Sequence, residues 1–347
     1  MGTGGAESFV AEMVRLSDHV GWHCAVASAG GPLADKLESQ GRATTYNVPL
    51  SRRNLRRLVT STTATRRVIT DFRPEAILAH NVGVSVATGL ARAGARPAIP
   101  MVSVFHGVAA EDYRNAARVL SRVPDHVVAV SAVIADRLVV AGFKGRPLSV
   151  IPNAITAPIL MDREQARAEL GIDNDVPVAL CAARIVPQKR HDVLLDAWAQ
   201  VKEPALLLIA GDGPDRADRQ RQANDLGLGA DRVRFLGVRD DVPRLLSACD
   251  VTVLASDWEG MPIATLESLA AARPVVATDV DGLTESAQVG GILVPRRNPA
   301  ALADGLNTLL QDDELRQQMA TQGQFDVLHR HDPENMMVAY DRILRSS

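Results

Sequence analysis

The chain has 347 residues, 46% of them hydrophobic, and a formal net charge of -3 at pH 7. Two domains of ordinary size fit this length better than one, because domains usually contain roughly 100 to 200 residues. No run of roughly 18 uncharged apolar residues is present, so a membrane-spanning helix is not expected.

The first residues and the cysteines indicate an intracellular protein. No charged region followed by an apolar one opens the chain, so we expect no signal peptide. The three cysteines, Cys24, Cys181 and Cys249, are odd in number and scattered. This pattern argues against a disulfide framework and against a zinc site. We therefore expect a cytoplasmic protein.

Twelve short runs rich in Val, Ile, Leu and Ala alternate with segments of helical length. This alternation is typical of parallel strands that crossover helices bury on both faces. The predicted strands are His23–Ala27, Thr44–Val48, Ala76–His80, Ile99–Phe105, His126–Ser131, Leu148–Ile151, Val176–Ala183, Ala205–Gly211, Val233–Leu236, Val251–Ala255, Pro274–Thr278 and Gly291–Val294.

The strands form two successive series, which predict an α/β protein with two Rossmann-like, doubly wound domains facing each other across a cleft. We expect the first domain to span residues 1–155 and the second 156–330. Residues 331–347 contain a periodic segment, Pro333 to Leu344, that predicts a helix packing back on the first domain. Ligands of such sheets bind beyond the carboxyl ends of the strands, so the informative residues should follow strands.

Three features of the first half bear on binding. Gly4 and Gly5 suit a loop whose amides approach a phosphate or a sugar, whereas Glu7 occupies the place of the third glycine of a dinucleotide fingerprint. His106 follows a predicted strand and precedes a glycine. The Arg52–Arg67 segment predicts a basic amphipathic helix, which is either a solvated arginine face or a peripheral contact with an anionic membrane.

The two halves of the chain differ in charge. Residues 1–150 contain 18 Lys and Arg against 11 Asp and Glu, whereas the remainder contains 20 against 30. The basic first half favours an anionic partner. Nucleic acid is not the expected one.

The second half contains cations and glycines directly after its first two strands. Arg184 and Lys189 follow Val176–Ala183, and Gly211 opens a Gly-Asp-Gly-Pro turn after the next strand. Fixed cations at such a place stabilise charge that builds on a departing phosphate. The alternative is a pair of ordinary surface cations.

The most informative run extends from Ser256 to Glu267, after the strand Val251–Ala255. Glu259 lies in the loop, and Glu267 lies inside the helix that Pro262 opens. The helix start offers backbone amides and a positive dipole end to a ligand. Two carboxylates at this spacing could hold hydroxyls of two different parts of one ligand. The alternative is that Glu259 caps the helix and Glu267 lies on its solvated face.

Two Asp-x-Asp strings are weighed as metal ligands. Asp173-Asn174-Asp175 lies in a predicted turn, where such residues are expected for backbone reasons. Asp279-Val280-Asp281 follows a strand and lies close to Gly282 and Glu285. We expect neither to bind metal.

The combination resembles the retaining glycosyltransferases of family four, which have the GT-B fold. Six motifs match the family's elements in order and spacing. They are Gly4-Gly5-Ala6-Glu7, His106-Gly107, Ile151-Pro152-Asn153, Arg184 with Lys189, Gly211-Asp212-Gly213-Pro214, and the glutamate pair with its Glu-Gly-x-Pro start.

The resemblance implies transfer of a sugar from a nucleoside-diphosphate sugar to an acceptor hydroxyl, with retention and without a metal or other cofactor. It implies catalytic roles for His106, Glu259, Arg184 and Lys189. It implies donor contacts from Gly4, Gly5, Arg184, Lys189, Gly211, Glu259, Gly260, Met261, Pro262, Ile263 and Glu267. The acceptor is left open among a saccharide, a lipid-linked saccharide and a small molecule.

One departure from the family matters, since members usually begin with a strand before the Gly-Gly loop. The first strand of the N-terminal domain is therefore expected to be missing, which would leave two neighbouring strands with unpaired edges. Two alternatives to transfer stay open: an epimerase or hydrolase of the same fold, and a non-catalytic subunit that binds a nucleotide sugar.

Overall fold

The computed structural model describes residues 4–49, 55–95, 97–202 and 204–346, without the side chain of Leu55. The chain divides into two compact units. One contains Met1–Asn153 with Pro333–Ser347, and the other contains Ala154–Asp332. The sequence placed the two divisions after residues 155 and 330.

The first unit contains six parallel strands among its described residues. They are β1 (Cys24–Ser28), β2 (Ala43–Asn47), β3 (Ile77–His80), β4 (Met101–Phe105), β5 (His126–Ala129) and β6 (Leu148–Val150). β1 pairs with β2, and a separate sheet has the order β3-β4-β5-β6. Within the described residues the parallel order is thus interrupted between β1 and β3. An interruption here is what an absent first strand requires, and that absence stays a prediction.

Helices connect these strands. They are α1 (Gly5–Arg15), α2 (Pro32–Ser39), α3 (Leu55–Phe72), α4 (Val82–Arg92), α5 (Tyr113–Leu120) and α6 (Ala132–Val140). α3 packs against α4, α4 against α5, and α5 against α6. These four helices therefore form one layer. The predicted basic helix is α3, while Arg52 and Arg53 lie outside the described residues.

The second unit contains one sheet of six parallel strands in the order β12-β11-β10-β7-β8-β9. The strands are β7 (Val178–Ala182), β8 (Leu206–Ala210), β9 (Val233–Gly237), β10 (Val251–Leu254), β11 (Val275–Thr278) and β12 (Gly291–Val294). Its helices are α7 (Arg163–Leu170), α8 (His191–Trp198), α9 (Arg216–Asp225), α10 (Val242–Ala248), α11 (Ile263–Ala270), α12 (Asp281–Ser286), α13 (Pro299–Gln311) and α14 (Asp313–Arg330).

Alternate residues of the central strands belong to two different cores. Ala179 and Cys181 pack into one cluster with Trp198, which is fully buried. Val178 and Leu180 pack into another, with Leu245. Successive side chains of a strand point to opposite faces, so both faces of this sheet are covered. This explains why the strands are continuous apolar runs.

The last helix, α15 (Pro333–Ser346), returns to the first unit. Tyr340 is fully buried, with its ring centroid 6.2 Å from that of Phe9. The indole Nε1 of Trp22 donates to Asp341 at 2.9 Å. The helix therefore contributes to the core beneath α1.

Each of the twelve predicted strands is present, with ends within two residues of prediction. The predicted fold class, α/β with two Rossmann-like domains, is confirmed. No helix among the described residues combines the length and apolar character that crossing a bilayer requires.

Candidate active site

The order in which the chain adds strands to the sheet of the second unit reverses between β7 and β10. The chain runs outward from β7 through β8 to β9, then returns to place β10 on the other side of β7. Loops after two such strands leave the sheet on opposite sides and open a crevice at their carboxyl ends. Arg184 and Lys189 follow β7, and Glu259 follows β10. Chain topology thus brings these two motifs to one edge.

Lys189 and Glu259 form an ion pair at this edge. The Lys189 Nζ donates to Oε1 of Glu259. The two side chains are 15% and 6% exposed, so the pair is largely shielded from water. Coulomb attraction strengthens as water is excluded, and therefore this contact holds the ammonium in place. The sequence predicted both residues but not their contact.

The loop after β10 is fixed by hydrogen bonds to neighbouring segments. Ser256 Oγ donates to Oε1 of Glu259 at 2.5 Å, and Thr278 Oγ1 donates to the Ser256 carbonyl at 2.6 Å. Gln188 Nε2 donates to the Trp258 carbonyl at 2.8 Å. These bonds join three strand ends. The Glu259 carboxylate is therefore oriented before any ligand arrives.

Glycine at position 282 permits a close approach between two loops. A Cβ on Gly282 would lie 1.9 Å from the Gly260 carbonyl oxygen, closer than atoms can approach. Gly282 is the second residue of α12 and lies in the Asp279–Glu285 segment that was weighed above as a metal site. The Glu-Gly motif therefore depends on a glycine more than twenty residues away.

Arg184 lies exposed after β7, and glycines support the backbone beside it. A Cβ on Gly211 would lie 2.0 Å from the Ala183 carbonyl oxygen, and one on Gly213 would lie 2.1 Å from that of Ile185. The Gly-Asp-Gly turn thus packs directly on the segment that carries Arg184. Whether Gly211 also contacts a donor stays a prediction.

The helix after the glutamate motif begins where the sequence placed it. α11 starts at Ile263, with Pro262 as its N-cap, and Glu267 is its fifth residue. Gly260, Met261, Pro262 and Ile263 are all buried, whereas Glu267 is partly exposed. Their predicted donor contacts stay predictions.

Two further arginines contact Asp257, which lies two residues before Glu259. Arg297 donates twice to Asp257, at 2.9 and 2.7 Å, and Arg190 Nη1 lies 3.5 Å from the same carboxylate. The hydrogen bonds from Arg297 hold the pKa of Asp257 below its ordinary value. Asp257 is therefore ionised near neutral pH. Sequence analysis missed Arg190 and Arg297, because spacing along a loop does not show which carboxylate a side chain contacts.

In the first unit, His106 has a neighbour that the sequence analysis missed. Nδ1 of His80, at the end of β3, lies 3.1 Å from Nε2 of His106, just beyond β4. Burial lowers the pKa of His106 to about 4, and burial together with His106 lowers that of His80 to about 3. Both imidazoles are neutral at pH 7, and one donates its proton to the other. The signal that could have identified His80 is its position at the end of a strand predicted directly before the strand that leads to His106.

Gly4 and Gly5 open α1, with Gly4 as N-cap and Gly5 as the first helical residue. A Cβ on Gly4 would lie 2.5 Å from Oε2 of Glu7. Phe9, one turn further, packs edge-on against the rings of both His80 and His106. The glycine start and the histidine pair therefore belong to one part of the first unit.

Metal ligands do not cluster in the part of the chain that the structure describes: no three His, Cys, Asp or Glu side chains come together there. In the Asp173-Asn174-Asp175 string, the carbonyls of Asp173 and Asn174 accept hydrogen bonds from the buried Arg167. This string has a structural role in a turn. The expected independence of metal stays a prediction.

Comparison with known proteins agrees with this arrangement. A family model described as Glycosyltransferase Family 4 matches residues 3–157, and one described as Glycosyl transferases group 1 matches residues 162–325. The chain is 36% identical over 170 residues to the alpha-D-kanosaminyltransferase of Streptomyces kanamyceticus, covering 46% of this chain and 44% of the relative.

A second relative is the lipopolysaccharide core biosynthesis glycosyltransferase LpsE of Rhizobium meliloti (strain 1021), with 31% identity over 224 residues and 64% coverage of each chain. The matches therefore span less than two thirds of either relative. Among solved structures, Anabaena Alr3699/HepE, in complex with UDP and glucose, has a TM-score of 0.86 at 24% identity. That match covers 100% of this chain and 97% of the other. The two family models together account for both units, and the chain belongs to the family-four glycosyltransferases of the GT-B fold class.

Proposed function

We propose that the protein transfers a sugar from a nucleoside-diphosphate sugar to an acceptor hydroxyl, with retention at the anomeric carbon. The observation that carries this proposal is the ion pair of Lys189 and Glu259 between the loops after β7 and β10. Arg184 lies in the loop after β7, as Lys189 does. Family membership supports the same conclusion. The sugar and the acceptor are not specified by these residues.

Each charged side chain of the site in the second unit has a proposed role. Arg184 and Lys189 stabilise the diphosphate, on which negative charge grows as the glycosyl bond breaks. Glu259 accepts hydrogen bonds from sugar hydroxyls, and Glu267 from the ribose. The ion pair keeps the Lys189 ammonium ordered until a phosphate oxygen competes for it. Because Lys189 is held in place in advance and Arg184 adds a second positive charge, the proposed reaction needs no metal.

Variants that preserve side-chain size test the proposal. We expect Lys189→Met and Glu259→Gln to lower transfer by about 100-fold or more, since each removes a charge that acts on the donor. Arg221→Gln, which removes an exposed cation on α9, is the matched control. Thermal unfolding of each variant verifies the fold. Near-normal turnover of both site variants would refute the assignment.

Product analysis separates transfer from the two alternatives. Anomeric configuration of the product, measured by NMR, reports retention or inversion. Turnover of the nucleotide sugar without any acceptor would indicate a hydrolase or epimerase. Donor binding by calorimetry, without turnover against a broad acceptor panel, would indicate a binding subunit.

We also propose that α3 contacts an anionic membrane peripherally. Arg56, Arg57 and Arg67 are exposed on this helix, and Val59 is 57% exposed among them. Arg66 instead donates to the carbonyls of Leu90 and Ala91, so it serves to attach α3 to α4. Exposed cations beside an apolar side chain suit the interface of an anionic leaflet. Vesicle binding of Arg56→Gln/Arg57→Gln/Arg67→Gln against the unaltered protein tests this contact.

A further inference from the structure

A second basic surface lies at the other end of the same helical layer. An open cavity of about 500 Å³ is lined by Arg114, Arg118 and Arg122 and by Lys144. Its lining contains no carboxylate, and none of the four cations forms an ion pair with any described residue. The cavity, which we call the α5 cavity, therefore concentrates positive charge that the protein does not neutralise.

The fold holds these cations in a defined row. Arg114, Arg118 and Arg122 are separated by four residues each, so they lie along one face of α5 and its C-terminal extension. Ser121 Oγ accepts a hydrogen bond from the Lys144 backbone amide at 3.0 Å. That bond attaches the turn after α6 to the end of α5. Lys144 is thereby placed beside the row.

Stabilisation of the α5 dipole does not account for the row. Cations are favourable in the last turn of a helix, where carbonyls point outward, and unfavourable in the first turn. Arg122 fits that explanation, since it follows the last turn. Arg114 is the second residue of α5, at the end where a cation is unfavourable. Binding of an external anion accounts for all four positions.

An apolar rim adjoins the cavity. Val139 and Val140 end α6 and are 53% and 88% exposed, and the next two residues, Ala141 and Gly142, line the cavity. At such exposure these side chains leave most of their apolar surface in water, which contributes nothing to the stability of the folded chain. Beside unpaired cations, they match a lipid interface, where aliphatic groups enter the acyl boundary and cations meet phosphates.

The rim and the cavity share one layer with the α3 surface. Residues 55–146 contain 13 Lys and Arg against six Asp and Glu. Two further exposed aliphatic residues of this layer are Val59 on α3 and Leu90 on α4, at 57% and 49%. Exposed cations and exposed aliphatic groups therefore recur across one helical layer. A broad anionic surface fits this distribution better than a small soluble anion.

We propose that the α5 cavity and its valine rim seat the protein on an anionic phospholipid leaflet, with headgroup phosphates in the cavity and Val139 and Val140 in the acyl boundary. This inference rests on the proposed membrane contact and moves its main anchor from α3 to α5 and α6. It is independent of the proposed donor chemistry, because the lining of the α5 cavity contains none of the residues assigned to the donor.

Vesicle sedimentation tests the proposal with the full chain. The probes are vesicles of equal parts phosphatidylglycerol and phosphatidylcholine, and vesicles of phosphatidylcholine alone. Each basic residue near an anionic surface contributes about fivefold to binding, so Arg114→Gln/Arg118→Gln/Arg122→Gln/Lys144→Gln should weaken binding to the anionic vesicles by more than tenfold. Val139→Ser/Val140→Ser should weaken it by about tenfold with no change in charge.

A matched control removes four exposed cations from other surfaces: Lys202, Arg221, Arg330 and Arg345. We expect this variant to keep most of its binding. Thermal unfolding of every variant verifies the fold. Turnover of the nucleotide sugar in solution should be unchanged in the cavity variant, which separates this test from that of the donor site.

Several outcomes would overturn the inference. Equal loss in the control variant would show that net charge alone drives binding. Loss confined to the α3 variant would place the anchor there and leave the proposed membrane contact intact. Absence of vesicle binding by the unaltered protein would remove both membrane proposals and leave the donor site untouched. Calorimetric binding of inorganic phosphate without vesicle binding would make the cavity a site for a free anion.

Discussion

The Oε1 atom of Glu259 accepts from both Lys189 and Ser256, so one carboxylate oxygen ties the loop after β7 to the loop after β10. Lys189 and Glu259 are 70 positions apart in sequence. They meet because the strands that precede them, β7 and β10, are adjacent in the sheet. A ligand phosphate that attracts Lys189 must compete with this carboxylate. In the proposed function, the pair therefore connects binding of the donor phosphate to the position of the glutamate motif.

Removing the Ser256 hydroxyl tests the orientation of Glu259. Ser256→Ala should lower transfer about tenfold, because a neutral hydrogen bond to a charged group contributes about 1.5–3 kcal/mol and Lys189 still holds the carboxylate. Initial rates with saturating donor measure it. Ser268→Ala is the control, since its buried hydroxyl bonds within α11 to the Ala264 carbonyl. Equal losses in both variants would contradict an orienting role for Ser256.

Gly282→Ala should displace the Glu-Gly loop. The added methyl would meet the Gly260 carbonyl, and forcing extra atoms into a packed contact costs about 1–3 kcal/mol. We expect a lower melting temperature together with a loss of transfer of tenfold or more. Gly83→Ala in α4 is the matched control, because its Cβ would meet nothing within 4 Å. A Gly282 variant that keeps full activity would show that the close approach is unimportant.

His80→Gln should lower transfer about tenfold if His106 acts in the reaction, since the variant alters the hydrogen bond that orients the His106 ring. His106→Ala should cost more. Because both pKa values are far below 6.5, rates should show no histidine titration between pH 6 and 8. His126→Gln is the control: this residue bonds to Ser149 at the opposite end of the sheet. An inflection near pH 6.5 would contradict a neutral pair.

Acid should destabilise the fold before most carboxylates titrate. Burial, followed by Lys189 and Arg219, lowers the pKa of His191 to about 4, whereas an unfolded histidine titrates near 6.5. Between these values the unfolded chain binds the proton and the native chain does not, so the free energy of unfolding falls as pH falls. The contribution is about 1.4 kcal/mol per pH unit.

Urea unfolding between pH 4.5 and 8 measures that slope, with His191→Gln for comparison; this range is set by the pKa of about 4 in the folded chain and roughly 6.5 in the unfolded chain. The variant should lose about one proton's share of the slope below pH 6.5, whatever its absolute stability. An unchanged slope would show that folding does not lower the pKa of His191.

Transfer should continue in the presence of EDTA. Arg184 and Lys189 supply positive charge at the proposed diphosphate position, which is the task that a divalent ion performs in metal-dependent transferases. Rates before and after chelation and gel filtration measure this. Activity that disappears with EDTA and returns with Mg²⁺ would contradict the prediction.

Much of the fold could be predicted from local patterns in the sequence. The strands of the second unit could be predicted because both of their faces are buried, which makes them apolar runs bounded by turns. α3 could be predicted from its helical spacing. Glu259 and Glu267 could be placed before and inside α11, because Pro262 marks the start of that helix.

Long-range contacts were beyond the sequence. His80 gave no signal of its own, since it lies 26 residues from His106 and only the pairing of β3 with β4 brings their rings together. Gly282 is likewise ordinary in sequence, and its role follows from the approach of α12 to the Gly260 backbone. Lys144 joins the three arginines of the α5 cavity only because the turn after α6 packs against the end of α5.

Local patterns suffice to predict the alternation of strands and helices and the positions of the motif residues, because burial and helix capping act on neighbouring residues. The order and spacing of the motifs indicate the family. Three contacts become visible only in the folded chain: Lys189 meets Glu259, His80 meets His106, and Lys144 lies beside the α5 arginines next to exposed valines. Strand order sets these encounters. It is fixed by the packing of the whole sheet, which no local pattern records.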